Sequence, residues 1–260
     1  LTRGKPAKSQ LDLSDGIETI TKKNLISDEG IDLRNYGGID GIYAARKLGA
    51  DLLGLSDNEV LCGDHSSLTL MYLYVMHAYY HGSLGSNTAW ANERDIKFIA
   101  LVPGYDRHFA ICEELGIKMI NVDLLEDGPD MDLIEDLVKE DHNIKGIWCV
   151  PKFSNPTGIV YTDEVVERIA ALGKIAGPNF RVMWDNAYSV HDFVDPPKQL
   201  SNVMKYCRRY GTEDNIILTT STSKMTLAGG GISFLGSSKK NLEFFRKRLS
   251  VMTIGPNKLN

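Results

Sequence analysis

The sequence predicts an α/β fold: a mainly parallel seven-stranded sheet covered by helices on both faces. Short apolar runs of strand length alternate along the chain with longer segments of helical spacing, the signature of such a sheet. With 260 residues the chain is long enough for one large α/β domain, or one domain and part of a second. Its composition, 43% apolar and 24% charged, is ordinary for a globular protein.

The elements follow in order. Residues 1–35 are polar, broken by Gly and Pro, and form an N-terminal arm. Asp40–Gly54 is an amphipathic helix by the spacing of Ile42, Ala45, Leu48, Leu52 and Leu53. Glu59–Cys62 is the first strand and Ser67–Tyr80 the helix after it. Ile96–Val102 is a strand, Asp106–Leu115 a helix, Ile117–Val122 a strand and Asp132–Glu140 a helix. Ile144–Val150 is a strand, Asp163–Ile175 a helix and Phe180–Trp184 a strand. Asn215–Thr219 and Ile232–Leu235 complete the seven strands, and Lys240–Ser250 is the last helix. No internal repeat or low-complexity linker interrupts the pattern.

Composition excludes several partners. The net charge is −5 and no basic stripe dominates, which argues against nucleic acid. Lys239, Lys240, Arg246, Lys247 and Arg248 fit the solvated face of a helix. No apolar run approaches the roughly 20 residues of a membrane span. Leu1-Thr2-Arg3-Gly4-Lys5-Pro6 lacks the apolar core of a signal peptide, and without an initiator Met, residues upstream of Leu1 are expected. Cys62, Cys112, Cys149 and Cys207 form no CxxC pair; Cys112 and Cys149 lie in apolar segments, as buried thiols of a reducing, cytoplasmic setting would.

Ligands of open α/β sheets bind outside the carboxyl ends of the strands, so the loops there are where chemistry is expected. After the fifth strand come Asp185-Asn186-Ala187-Tyr188; an aspartate here serves equally as a turn residue or helix cap. After the fourth comes Ser154-Asn155-Pro156-Thr157-Gly158, two turn signals in succession. After the sixth, Thr219-Thr220-Ser221-Thr222-Ser223-Lys224 precedes Gly229-Gly230-Gly231. That is either a polar turn with a solvated lysine or a cradle for phosphate oxygens. After the first, Ser66 and Ser67 open a helix, as an N-cap or as a phosphate site at the positive end of the dipole.

Taken in this order, with Tyr36-Gly37-Gly38 and Pro103-Gly104-Tyr105, these motifs resemble class I aminotransferases of pyridoxal phosphate (PLP) fold-type I, in the aspartate aminotransferase-like branch. The resemblance runs from Leu1 to about Gly255. It implies that residues 36–255 are the PLP-binding large domain and that residues 256–260 start the link to a small domain not present in this sequence. It implies that Lys224 forms a Schiff base with PLP and later shuttles a proton. Asp185 would pair with the ring nitrogen and keep it protonated, tuning the cofactor's electronics. Asn155 and Tyr188 would hydrogen-bond the ring hydroxyl oxygen, and Tyr105 would stack on the ring. Ser66, Ser67, Ser221 and Ser223 would bind the phosphate. Tyr36 would reach the phosphate of a neighbouring subunit, implying a homodimer with shared active sites. Gly4 would approach the substrate carboxylate, beside Asn155.

The implied reaction is ping-pong transfer of an amino group from an L-amino acid, aspartate by resemblance, to a 2-oxo acid, 2-oxoglutarate by resemblance. The same cofactor residues would serve a PLP-dependent lyase or decarboxylase, or a catalytically incomplete PLP-binding domain. Two departures stand out. Many class I enzymes carry a phosphate-anchoring arginine eight residues after the lysine, where this chain has Ile232. The family also continues into a small C-terminal domain with a carboxylate-binding arginine, whereas this sequence stops at Asn260, as a fragment or a chain without that domain.

Other residues fit less specific roles. His77 and His81 stand at i and i+4, a spacing that can hold zinc, but without an HExxH glutamate or third ligand no metal is expected. Met71, Tyr72, Val75, Met76 and Tyr79 form a stripe suited to the core or a dimer contact. His65 and His191 lie near site loops, and His191 is a candidate to support Tyr188. Gly229–Gly231 does not have the GxGxxG form of a nicotinamide dehydrogenase.

Overall fold

Seven short runs, each nearly free of exposed residues except one at the sheet's far edge, pair into a single sheet. They are β1 Val60–Gly63, β2 Lys97–Val102, β3 Lys118–Leu125, β5 Ile144–Cys149, β6 Arg181–Asp185, β7 Ile216–Ser221 and β8 Ser233–Gly236. The computed structural model describes residues 6–17, 19, 25–86 and 88–259. All seven predicted strands are present, within a few residues of their expected bounds. An eighth, the two-residue β4 Gly128–Pro129, closes on β3 and was not anticipated, because a dipeptide has no periodicity to detect.

The sheet order is β1-β8-β7-β6-β5-β2-β3-β4. Its centre, β7-β6-β5-β2-β3, is parallel. The margins are antiparallel: β8 with both β1 and β7, and β4 with β3. The chain enters this centre at β2, steps outward to β3, then returns to β5 on the other side. The junction of β2 and β5 is therefore the point where strand order reverses, and a crevice opens there.

Alternating side chains divide the core into two layers. On one face Val182, Trp184, Ile216 and Leu218 pack with residues of the helices Tyr43–Leu53, Met131–Glu140, Asp163–Ala171 and Val203–Tyr210. On the other Met183, Ile217, Trp148 and Leu235 pack with Ser67–His81, Asp106–Glu114 and Lys239–Met252. Period-2 alternation continues past Met183 and Ile217 to Asp185 and Thr219, which thus emerge on the second face. The helices Ser67–His81 and Asp106–Glu114 also start on that face, just after β1 and β2. Their amino ends converge on the carboxyl edge of the sheet.

Three helices differ from expectation. The first is Tyr43–Leu53, not Asp40–Gly54: Gly41 has φ +85° and Gly54 φ +66°, conformations that stop a helix at either end. Asp163–Ala171 passes into a 3-10 turn, Leu172–Lys174. Val203–Tyr210 was not anticipated, and only Val203, Met204 and Cys207 of it are buried. Of the predicted arm, the described part holds a short helix at Lys8–Leu11. Lys239, Lys240 and Lys247 are solvated as expected, but Arg246 makes a bidentate pair with Asp40 at 2.7 and 2.9 Å. No helix among the described residues is long and apolar enough to cross a membrane.

Candidate active site

Asp185 is the last residue of β6 and is buried, 4% exposed. A carboxylate so placed needs partners. Thr219, its register neighbour on β7, donates from Oγ1 to Oδ1 at 3.4 Å. The stronger contact is to His108, whose Nε2 lies 3.2 Å from Oδ2. His108 is 1% exposed and stacks on Trp148, with ring centroids 4.5 Å apart and planes 11° apart. The Tyr105 ring meets it edge to face, with centroids 5.1 Å apart and planes at 85°. His108 was missed in the sequence. The available signal was the Tyr105-x-x-His108 spacing at a helix start, which sets both rings one turn apart.

Asn155 sits in the loop after β5. Ser154 pins that loop by donating from Oγ to the Val150 carbonyl at 2.6 Å, and the Gly158 amide donates to the Ser154 carbonyl at 2.6 Å. Tyr188 is half-buried. Burial pushes its phenol pKa up, the nearby Asp185 carboxylate acts in the same direction, and a hydrogen bond with Asn155 opposes them. Lys224 ends the 3-10 turn Thr222–Lys224, with Nζ 5.3 Å from the centroid of the Tyr188 ring.

The hydroxyl residues divide in role. Ser66 caps the helix Ser67–His81, accepting from the Thr69 amide at 3.3 Å. The amides at this helix start carry the positive end of the dipole. Ser221 ends β7. Ser223 donates to the His65 carbonyl at 2.7 Å and so ties the lysine turn to that helix start. The glycine run has one steric reason: a Cβ on Gly231 would stand 2.8 Å from Thr222 Oγ1. This close approach zips the two segments together. The Thr222 amide donates to the Ile232 carbonyl at 2.9 Å, and the Ile232 amide to Thr222 Oγ1 at 3.0 Å. The Ile232 side chain packs with the core on the far face of the sheet, so this position presents no cation to the site.

Lys224, Asp185, Tyr188, Asn155, Tyr105, Ser66, Ser67, Ser221 and Ser223 line one cavity of about 220 Å³. His65, Leu68, Met71, Val150, Ala187 and Ala228 complete its wall. No arginine lines it among the described residues. Tyr36 lies elsewhere, 83% exposed beside Gly255–Leu259. Gly4 lies outside the described residues. His77 is buried, and no group of three or more possible metal ligands occurs among the described residues.

One amine, one buried carboxylate, two hydrogen-bonding groups, an aromatic face and an N–H and hydroxyl cradle thus surround one space. That set matches a flat, nitrogen-containing ring bearing an oxygen and a phosphate. The chain is also similar to known proteins. The aspartate amino-transferase family profile matches residues 1–260. An aspartate aminotransferase of Corynebacterium glutamicum is 44% identical over 261 residues, spanning 100% of this chain and 60% of that protein. The crystal structure of an aspartate transaminase from the same species superposes with a TM-score of 0.94 at 44% identity, covering 99% of this chain and 60% of that one. An α-aminoadipate aminotransferase from Thermus thermophilus, complexed with N-(5'-phosphopyridoxyl)-L-leucine, shares the fold at TM-score 0.75 and 19% identity, again over 99% of this chain and 60% of its own. The chain therefore spans about 60% of the length of the relatives it matches, and it belongs to the aspartate aminotransferase family.

Proposed function

We propose that this chain carries the cofactor half of a PLP-dependent aminotransferase that moves an amino group from L-aspartate to 2-oxoglutarate. The observation that carries the reading is the single cavity in which Lys224, the His108-supported Asp185, Tyr188, Asn155 and the serine-lined helix start converge. The donor set fits the group. Lys224 supplies the only lysine amine in the cavity wall among the described residues. Asp185 suits a ring N–H, Tyr188 and Asn155 suit the ring oxygen, and Tyr105 suits the ring face. Ser66, Ser67, Ser221 and the adjacent amides suit the phosphate. Ser223 spends its hydroxyl proton on His65 and contributes mainly by holding the turn.

When bound, PLP supplies a carbonyl that couples to amines and a protonated ring that draws electrons from the bond being broken. The residues do the rest. Lys224 holds the cofactor and, once released, carries a proton to and from the substrate Cα. Asp185 keeps the ring nitrogen protonated, and His108 and Thr219 keep Asp185 fixed. Tyr188 and Asn155 stabilise negative charge on the ring oxygen.

The relatives' names support the choice of aspartate. The exposed Tyr36 supports a homodimer in which it completes a neighbour's phosphate site. Four buried, unpaired cysteines support a reducing compartment such as the cytoplasm. The decisive test is borohydride reduction of the protein with PLP, followed by peptide mapping. A pyridoxyl mass on Lys224 is expected; label on another lysine, or none despite bound PLP, refutes the assignment. Incubation with L-aspartate and 2-oxoglutarate should then yield glutamate and oxaloacetate in equal amounts, whereas a lyase or decarboxylase would release product without the acceptor.

A further inference from the structure

His191 is used by none of the roles above, yet it touches both Lys224 and Tyr188, two residues of the cavity wall. Its Nε2 lies 2.9 Å from the main-chain carbonyl oxygen of Lys224. Its ring meets Tyr188 edge to face, 5.6 Å between centroids and 81° between planes. Its own amide donates to the Tyr188 carbonyl at 3.1 Å, closing the turn that carries both side chains. The third side of the triangle is Lys224 Nζ over the Tyr188 ring at 5.3 Å.

The chemistry of each contact is directional. A carbonyl oxygen only accepts, so Nε2 carries the hydrogen and donates it. Nδ1 is buried with no hydrogen-bond partner, so the Lys224 carbonyl is the ring's one hydrogen-bond contact among the described residues. The carbonyl of Lys224 stands at the end of a one-turn 3-10 helix, where the helical pattern leaves carbonyls unmatched. His191 therefore caps the turn from 33 residues away in sequence. Lys224 is the exposed end of this turn and has a long, flexible side chain, so its reach is set by where its main chain is held.

We infer that His191 is a positioning residue for Lys224, clamping the lysine's main chain to the Tyr188 turn so that the ε-amine stays over the Tyr188 ring. The inference rests on the assignment of Lys224 as the cofactor-holding amine. Its consequence is a faster productive encounter between that amine and a bound carbonyl.

The test compares wild type, His191→Phe and His191→Gln. Phenylalanine keeps the edge contact with Tyr188 but removes the donor; glutamine restores a donor at similar reach. In the cofactor-free chain, hydrogen exchange at the Met225 and Thr226 amides, both bonded to the Thr222 carbonyl, reads the turn itself. His191→Phe should accelerate it about fivefold, the weight of one neutral hydrogen bond, and His191→Gln should return it to within about twofold of wild type. With PLP added, the rate at which borohydride-trappable label accumulates on Lys224 should fall about fivefold in His191→Phe and recover in His191→Gln. Melting temperatures should stay alike. Unchanged labelling in His191→Phe overturns the inference, as does equal loss in both variants with a matching fall in melting temperature. Should wild type take no label at Lys224, the PLP assignment fails instead, and the exchange measurement alone decides whether His191 holds the turn.

Discussion

Replacing His108 with phenylalanine removes one hydrogen bond and little else. The benzyl ring fills the imidazole's place, and the stack on Trp148 survives because it is a face contact at 4.5 Å. What is lost is the donor 3.2 Å from Asp185 Oδ2. Asp185 then keeps Thr219, a bond at 3.4 Å near the limit of hydrogen bonding. Hydrogen bonds to charged groups contribute about 1.5–3 kcal/mol, and both partners here are almost wholly buried, so a loss of about 2 kcal/mol is expected. For a chain of this size that is a fall in melting temperature of roughly 4–8 °C. The assay is a double-mutant cycle by urea unfolding: wild type, His108→Phe, Asp185→Ala and the pair. The expected coupling is about 2 kcal/mol, because His108→Phe removes nothing specific once the carboxylate is gone. Additive single effects, with coupling under about 0.5 kcal/mol, would refute the claim that His108 supports Asp185.

Three further outcomes follow from the packing. Burial, reinforced by His81 and Arg248, pulls the His77 imidazole pKa down to about 4. Since an unfolded histidine titrates near 6.5, the unfolded chain binds the extra proton between those values. Stability is therefore lost as pH falls from about 6.5 to about 4, and His77→Phe should flatten urea midpoints across that window. Gly146 leaves room for the Phe98 ring, which a Cβ would strike. Gly146→Ala should cost about 1–3 kcal/mol in urea unfolding, and Phe98→Leu in the same chain should recover part of it; a neutral Gly146→Ala would refute the packing. All four thiols are buried, and burial pushes Cys62 and Cys207 up to about 12 and Cys112 to about 11. A thiol reagent near neutral pH should label none in the folded chain and all in urea, as mass spectrometry would read; rapid labelling of any one when folded contradicts its place in the core.

Most of the candidate site was legible because its residues fall at the carboxyl ends of strands or in the segments just after them. Asp185, Asn155, Ser66, Ser67 and Lys224 each follow an apolar run, and buried strands announce themselves by apolarity alone. His108 escaped because it lies inside a helix, where it falls in step with the buried Ile111 and Cys112 and looks like one more inward-facing position. Its partner is 77 residues further along the chain. The helix Val203–Tyr210 escaped because Lys205, Arg208 and Arg209 dominate its composition while only three side chains are buried. Ser223 lines the cavity as its loop position suggested, but its hydrogen bond to His65 depends on a segment 158 residues away.

The amino-acid sequence by itself determined the alternation of strands and helices, the class of fold and the strand-end loops that line the candidate site. These follow from local periodicity and from residue types that a turn or a helix start requires. Only the tertiary structure decided the order of the strands and the reversal between β2 and β5. The antiparallel seating of β8 between β1 and β7 was decided there too. It also decided that His108 braces Asp185 and that His191 reaches the carbonyl of Lys224. The physical reason is that contacts between residues remote in sequence depend on which strands pair and which faces meet, and no local pattern encodes that.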